Sequence, residues 1–234
     1  MVYHSRFAWI DNHVIQFIEL IRTCCINIIG VVMPELLIIG FEPFDGFTVN
    51  PSEEVAKTLE RQKIGKYNIV SLVLPLDYTK ALDLLDYAME KHKPKVVLCL
   101  GQANRAVITI ERIAINALNT KRSDNYGYTP KKDIIDQEGP AAYFTNLDPH
   151  RLVKILKEND IPAEVSYFAG AYGCNWLIYN LMQRIETNNL DTLATFIHLP
   201  PLPSQAIQKD MMTLATMPME LEVEALLTII GSLD

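Results

Sequence analysis

From residue 35 onward, apolar and polar positions follow two rhythms. Short apolar runs of the strand type recur at 36–40, 69–74, 96–101, 107–118, 163–167 and 193–199. Between them, amphipathic stretches predict helices over 51–62, 78–92, 149–159, 174–187 and 220–230. This alternation is the signature of an α/β sandwich. Asn50-Pro51-Ser52-Glu53-Glu54 is a strong helix start: Asn can cap, Pro suits the first turn, and the acids face the positive end of the dipole. Residues 119–148 break the rhythm with turn formers such as Gly127, Pro130 and Gly139-Pro140. An irregular excursion that long is more often functional or disordered than idle.

The first 32 residues read differently. The segment from 13 to 32 is mostly apolar, but Glu19 and Arg22 fall inside it. Each charge would cost about 2.5–3.5 kcal/mol at a bilayer centre, so a membrane anchor is not expected. The basic start, charge-free centre and cleavage site of a secretory signal are missing. The expectation is an extension over 1–32, dispensable or a mis-called start, followed by one domain over 33–234.

Composition narrows the partners. Of 234 residues, 49% are hydrophobic and 21% charged, which suits a globular chain and not a disordered one. A net charge of −7 without a basic run argues against nucleic acid, whose phosphates need clustered positive charge. The 4 Cys form neither a disulfide framework nor a CxxC zinc pair, so a reducing, cytoplasmic setting without a structural metal is expected.

The sequence also lacks GxxxxGK[ST], GxGxxG after a strand, HExxH and GxSxG, so nucleotide, zinc-protease and serine-hydrolase readings have no usual support. Cys24 and Cys25 fall in the extension, and Cys99 sits mid-strand in VVLCLG, where an inert buried thiol is expected. Cys174 follows the small-residue turn Ala169-Gly170-Ala171-Tyr172-Gly173 and opens an amphipathic run. Free backbone amides at such a helix start favour a thiolate and can bind a developing oxyanion; the alternative is a small hydrophobe in the first turn. His198 ends an apolar run just before Leu199-Pro200-Pro201-Leu202-Pro203. Strand ends beside loops carry working groups in α/β folds; the alternative is a core histidine bonded to backbone. Glu111 lies within Val107-Ile108-Thr109-Ile110-Glu111-Arg112-Ile113, where a carboxylate needs a partner to stay charged. That partner is either a catalytic imidazole or some other base.

Six segments carry a resemblance: GFEPFDGFTVNPS (40–52), GQANRAVITIERIAIN (101–116), SDNYGYTP (123–130), GPAAYF (139–144), VSYFAGAYGCN (165–175) and FIHLPPLPSQ (196–205). In this order, with His198 24 positions after Cys174, the chain resembles the pyroglutamyl peptidase family of cysteine peptidases from about residue 35 to its end. The resemblance implies one three-layer α/β/α domain with a mixed, twisted sheet of the phosphorylase/hydrolase-like kind. It implies Cys174 as nucleophile, His198 as base and acid, and Glu111 as the group orienting the imidazole. It implies a pocket from Phe41, Phe44, Asn50 and Gln102, with Tyr172 and Gly173 beside the nucleophile. The implied reaction removes N-terminal pyroglutamyl residues from peptides through a thioester, without metal or cofactor, in a cytoplasmic homodimer or homotetramer. The chain departs from the family at Asp45, where Gly is usual, and at Gly173, where a bulkier residue is usual. Lys121, followed by Arg122, aligns with a family Arg thought to assist the oxyanion, and Arg and Lys differ in geometry. Two alternatives remain: an impaired homologue that binds cyclised N-termini, and a nucleoside phosphorylase-like transferase on fold analogy alone.

Overall fold

The computed structural model describes residues 33–233, and the expectations for residues 1–32 lie outside the described residues. The chain runs β1 (Glu35–Phe41), α1 (Pro51–Leu59), β2 (Lys63–Ile64), β3 (Tyr67–Leu74), α2 (Ala81–His92), β4 (Val96–Gln102) and β5 (Ile108–Glu111). It continues with β6 (Ile113–Ile115), β7 (Ala142–Phe144), α3 (Pro149–Glu158), β8 (Ala163–Ser166) and α4 (Gly173–Thr187). It closes with β9 (Leu193–Leu199), α5 (Pro203–Gln208) and α6 (Met219–Gly231). The main sheet has the order β2-β3-β1-β4-β9-β5-β8. β3, β1, β4 and β9 are parallel, whereas β5 runs antiparallel to β9 and parallel to β8. The sheet is therefore mixed, as expected.

Side-chain alternation along the strands builds two cores. Leu36, Ile38, Leu98, Leu100, Ile197 and Leu199 meet α1, α3 and α6 on one face. Leu37, Ile39, Val97, Cys99, Ala194 and Phe196 meet α2 and α4 on the other. Burial on both faces explains why these strands read as continuous apolar runs.

The helix starts follow local chemistry. Asn50 Oδ1 accepts from Ser52 N at 3.0 Å, with Pro51 in the first turn of α1. α1 stops short of residue 62 because Glu60 is extended (ψ 133°) and Arg61 is left-handed (φ 62°). α2 begins at Ala81 instead of 78 because Asp77 Oδ1 accepts from Thr79 N at 2.8 Å and Lys80 N at 3.2 Å. Such an aspartate turn competes with helix for the same amides.

The run expected as one strand over 107–118 is two. At Arg112 the chain changes sheets: its N–H donates to Ser166 O at 2.7 Å, while its carbonyl accepts from Thr145 N at 3.1 Å. β6 then pairs with β7 in a separate antiparallel ribbon. The excursion that follows is held by side chains: Asn116 Oδ1 accepts from Ile135 N and Asp136 N, both at 2.9 Å. Asp124 Oδ1 likewise accepts from Tyr126 N and Tyr128 N at 2.9 Å. Among the described residues no helix is long and apolar enough to cross a membrane.

Glu222 stands on the buried stripe of α6 with Ala225, Leu226 and Ile229, and neither carboxylate oxygen has a hydrogen-bond partner. Burial pushes its pKa up to about 9, so the folded state holds a proton that the unfolded chain releases near 4.5. This contribution to stability is full below pH 4.5 and is lost as pH rises toward 9. Glu222→Gln is therefore expected to flatten the decline between pH 5 and 8, measured as urea midpoints of both proteins across that window.

Candidate active site

The candidate residues converge at the carboxyl ends of β4 and β9. β9 lies between β4 and β5, so Gly101 sits opposite His198 on one side and Thr109 opposite His198 on the other. Glu111 is two residues along β5 from Thr109 and shares its face. The His198 Nδ1 and Glu111 Oε1 atoms are 2.7 Å apart, and both side chains are buried. An ionised carboxylate only accepts, so Nδ1 carries the proton and Nε2 is the ring nitrogen that can take one.

Burial opposes ionisation of Glu111, but the His198 hydrogen bond and charge, aided by Ser166 and Arg105, outweigh it and hold the carboxyl below its usual range. Burial also lowers the pKa of His198, against the upward pull of Glu111. The imidazole is accordingly disposed to be neutral, the form a base requires.

Cys174 is the second residue of α4, after the extended Tyr172 at its N-cap. Trp176 N makes the first intrahelical bond, to Tyr172 O at 2.9 Å, which leaves the amides of Gly173, Cys174 and Asn175 outside the helical ladder. A Cβ built on Gly101 would come within 2.9 Å of the Cys174 sulfur and 2.7 Å of Phe196 Cζ. The sulfur thus lies over Gly101, the register neighbour of His198. Among the described residues no hydrogen bond joins it to the imidazole. Burial, and next the Glu111 charge, push the thiol up to about 12 against the opposing pull of Arg122 and Arg105. This departs from the thiolate expected of a helix mouth. The residue keeps partial solvent exposure, but desolvation of the sulfur exceeds the help of the amides.

The pocket residues divide by what holds them. Phe41 is buried in the core and Phe44 is partly buried against it. Asn50, besides capping α1, donates from Nδ2 to Glu42 O at 3.0 Å, so it fixes the loop that carries Phe44. Gln102 Oε1 accepts from Gln205 Nε2 at 2.9 Å. The Tyr172 hydroxyl donates to Ser123 O at 2.6 Å, which ties the start of the Cys174 helix to the excursion. Gly173 packs on Leu76, since a Cβ there would fall 2.3 Å from Leu76 Cδ1. Arg122 stacks over the Tyr172 ring at 3.8 Å and pairs with the Asp45 carboxylate, while Lys121 is exposed. Of these two cations, Arg122 is the one whose charge reaches Cys174. Asp45 itself is left-handed (φ 55°).

Two further residues escaped the sequence reading. Asn175 is fully buried, accepts from Ile115 N at 2.9 Å and donates to Ile115 O at 2.8 Å and Ala117 O at 3.0 Å. A polar residue in the first turn of an apolar helix was the available signal. Arg105 donates to Glu111 Oε1 at 2.9 Å. Its position six residues before Glu111 gave no signal, because the contact depends on how the loop folds back.

Comparison with known proteins gives a consistent result. The pyroglutamyl peptidase family model matches residues 34–233. The pyrrolidone-carboxylate peptidase of Bacillus subtilis (strain 168) is 44% identical over 176 residues, covering 75% of this chain and 82% of that protein. The crystal structure of Bacillus amyloliquefaciens pyroglutamyl peptidase I superposes with a TM-score of 0.80 at 40% identity, over 85% of this chain and 95% of that one. The pyrrolidone carboxyl peptidase of Thermococcus litoralis gives 0.81 at 35% identity, over 85% and 92%.

The crowding at Gly101 is directly testable. Gly101→Ala must displace either the sulfur or the Phe196 ring, and overpacking of this kind costs about 1–3 kcal/mol. Urea denaturation should show that loss, and iodoacetamide should label Cys174 at an altered rate in the folded variant.

Proposed function

The chain belongs to the pyroglutamyl peptidase family, and on that premise we propose that it removes N-terminal pyroglutamyl residues from peptides using Cys174, His198 and Glu111. The observation that carries this reading is the 2.7 Å Glu111–His198 contact beside Gly101, the residue that also meets the Cys174 sulfur. A nucleophile, a base and a group orienting the base form a recurrent solution for acyl transfer.

In the resting enzyme the thiol and imidazole are both neutral. As the substrate carbonyl settles over the sulfur, Nε2 of His198 takes the thiol proton and a C–S bond forms. Free amides at the start of α4 donate hydrogen bonds to the developing oxyanion, with Arg122 adding to the local positive potential. The C–N bond then breaks, and His198 returns its proton to the leaving amine. Water, deprotonated by the same imidazole, attacks the thioester; the C–S bond breaks, the sulfur takes the proton back from His198, and pyroglutamate is released. Glu111 stabilises the imidazolium in both halves of the cycle.

Specificity follows from the shape of the ring. A pyroglutamyl group has no free α-amine, so its site needs apolar walls, one acceptor for the lactam N–H and one donor for the lactam carbonyl. Phe44 supplies a wall, backed by Phe41 in the core, and Gln102 with nearby backbone supplies the polar pair. A ring lacking those groups would leave buried partners unpaired. The enzyme acts in the cytoplasm as a homodimer or homotetramer on this reading, with the unpaired thiols of Cys99 and Cys174 suited to a reducing compartment.

The test is release of aminomethylcoumarin from a pyroglutamyl-coumarin amide. Cys174→Ser should lower kcat/KM by more than about a thousandfold, iodoacetamide should abolish release, and EDTA should leave it unchanged. Full activity without the thiol would overturn the assignment. Because burial lowers the His198 pKa and raises that of Cys174, the acid limb of kcat/KM should fall below pH 6.5 and the alkaline limb above 9.0.

A further inference from the structure

Glu111 is bound on one side only. Oε1 receives His198 Nδ1 at 2.7 Å and Arg105 Nη1 at 2.9 Å, while Oε2 is buried with no hydrogen-bond partner. The same guanidinium donates from Nη1 to the Thr109 hydroxyl and from Nη2 to Phe168 O at 2.9 Å. One side chain from the β4–β5 loop therefore joins the orienting acid, the strand that carries it, and the 167–172 turn that delivers Cys174. The geometry points to Arg105 as a positioning residue that keeps the Glu111–His198 pair ready to accept the thiol proton and fixes the nucleophile's turn against it. This inference rests on the triad proposed above.

The physical need is specific. A buried carboxylate bonded to an imidazole with no other counter-charge pulls a proton onto the pair, and an imidazolium cannot act as base. A guanidinium on the same oxygen satisfies the carboxylate without a titratable proton, so the acid stays ionised and the ring stays neutral. Besides Arg105, the titratable group facing the pair is Cys174 from α4, a thiol driven toward the neutral form by burial, with the buried Cys99 thiol of β4 behind it. Arg122 acts on Cys174 from the excursion. The Thr109 hydroxyl also reaches Oε1 at 3.4 Å, but among the described residues Arg105 is the one permanent cation that hydrogen-bonds Glu111. Its charge favours ionised Glu111 and neutral His198 together.

The experiment measures kcat and KM of the full-length protein from pH 4.5 to 9 for Arg105→Gln and Arg105→Lys with the pyroglutamyl-coumarin amide. Arg105→Gln is expected to move the acid limb of kcat/KM upward by about one pH unit and to lower kcat with KM within about twofold. Arg105→Lys, which keeps the charge, is expected to retain the wild-type limb. A folded Gln variant with an unmoved limb, or a Lys variant displaced upward, overturns the inference; the Lys arm decides it alone if the Gln protein does not fold. Titration of the His198 ring by NMR in a Cys174→Ser background supplies a readout independent of turnover. A rise in the ring's midpoint with Arg105→Gln supports the role, and no change refutes it. An active Cys174→Ser protein would instead refute the triad while leaving the titration interpretable.

Discussion

The site depends on keeping one charge inside a sheet that is otherwise apolar. Glu111 is wholly enclosed on β5, with apolar neighbours at Ile108, Ile110 and Phe196. An isolated carboxylate there would neutralise itself by taking a proton. It stays ionised because β9 brings His198 to the same oxygen that Arg105 reaches from the loop. The antiparallel register of β5 on β9 sets that meeting, since a one-residue slip would turn Glu111 to the opposite core. Sheet topology and acid–base chemistry are thus a single requirement.

The position of Cys174 depends on a second constraint, the missing side chain at Gly101. The sulfur occupies space that a methyl group would claim, so the first turn of α4 can come this close to β4 only because residue 101 is glycine. Asn175 closes the arrangement by holding the backbone of Ile115 and Ala117 through its amide. The start of the helix is therefore fixed from below by the sheet and from the side by the segment after β6. A helix mouth in such a dry setting gains rigidity and loses thiolate character.

Much of this was legible in the sequence. Continuous apolar runs gave the strands because both faces are buried, and the β9 bounds of 193–199 match the pattern. The Asn50-Pro51 start of α1 was legible because capping is a local interaction. The division of 107–118 was not: Ile108 through Ile115 has one uninterrupted β character, and only the competing partners Ser166 and Thr145 make it change sheets at Arg112. The ribbon strand β7 and the short helix α5 were missed because three to six residues carry too little periodicity. Cys174, His198 and Glu111 were each ambiguous alone, as any lone polar residue in an apolar run is. Arg105 was invisible because its role exists only once the β4–β5 loop and the 167–172 turn face each other.

The position of β9 in the sheet has a consequence for biosynthesis. Among the described residues it is the last strand in chain order, yet it is inserted between β4 and β5 and alone joins the β2-β3-β1-β4 half to the β5-β8 half. A nascent chain emerging from the ribosome holds two unjoined partial sheets, and a Glu111 without its imidazole partner, until residues 193–199 arrive. Joining of the two half-sheets and formation of the Glu111–His198 pair are then one event, so products that stop before residue 198 hold neither.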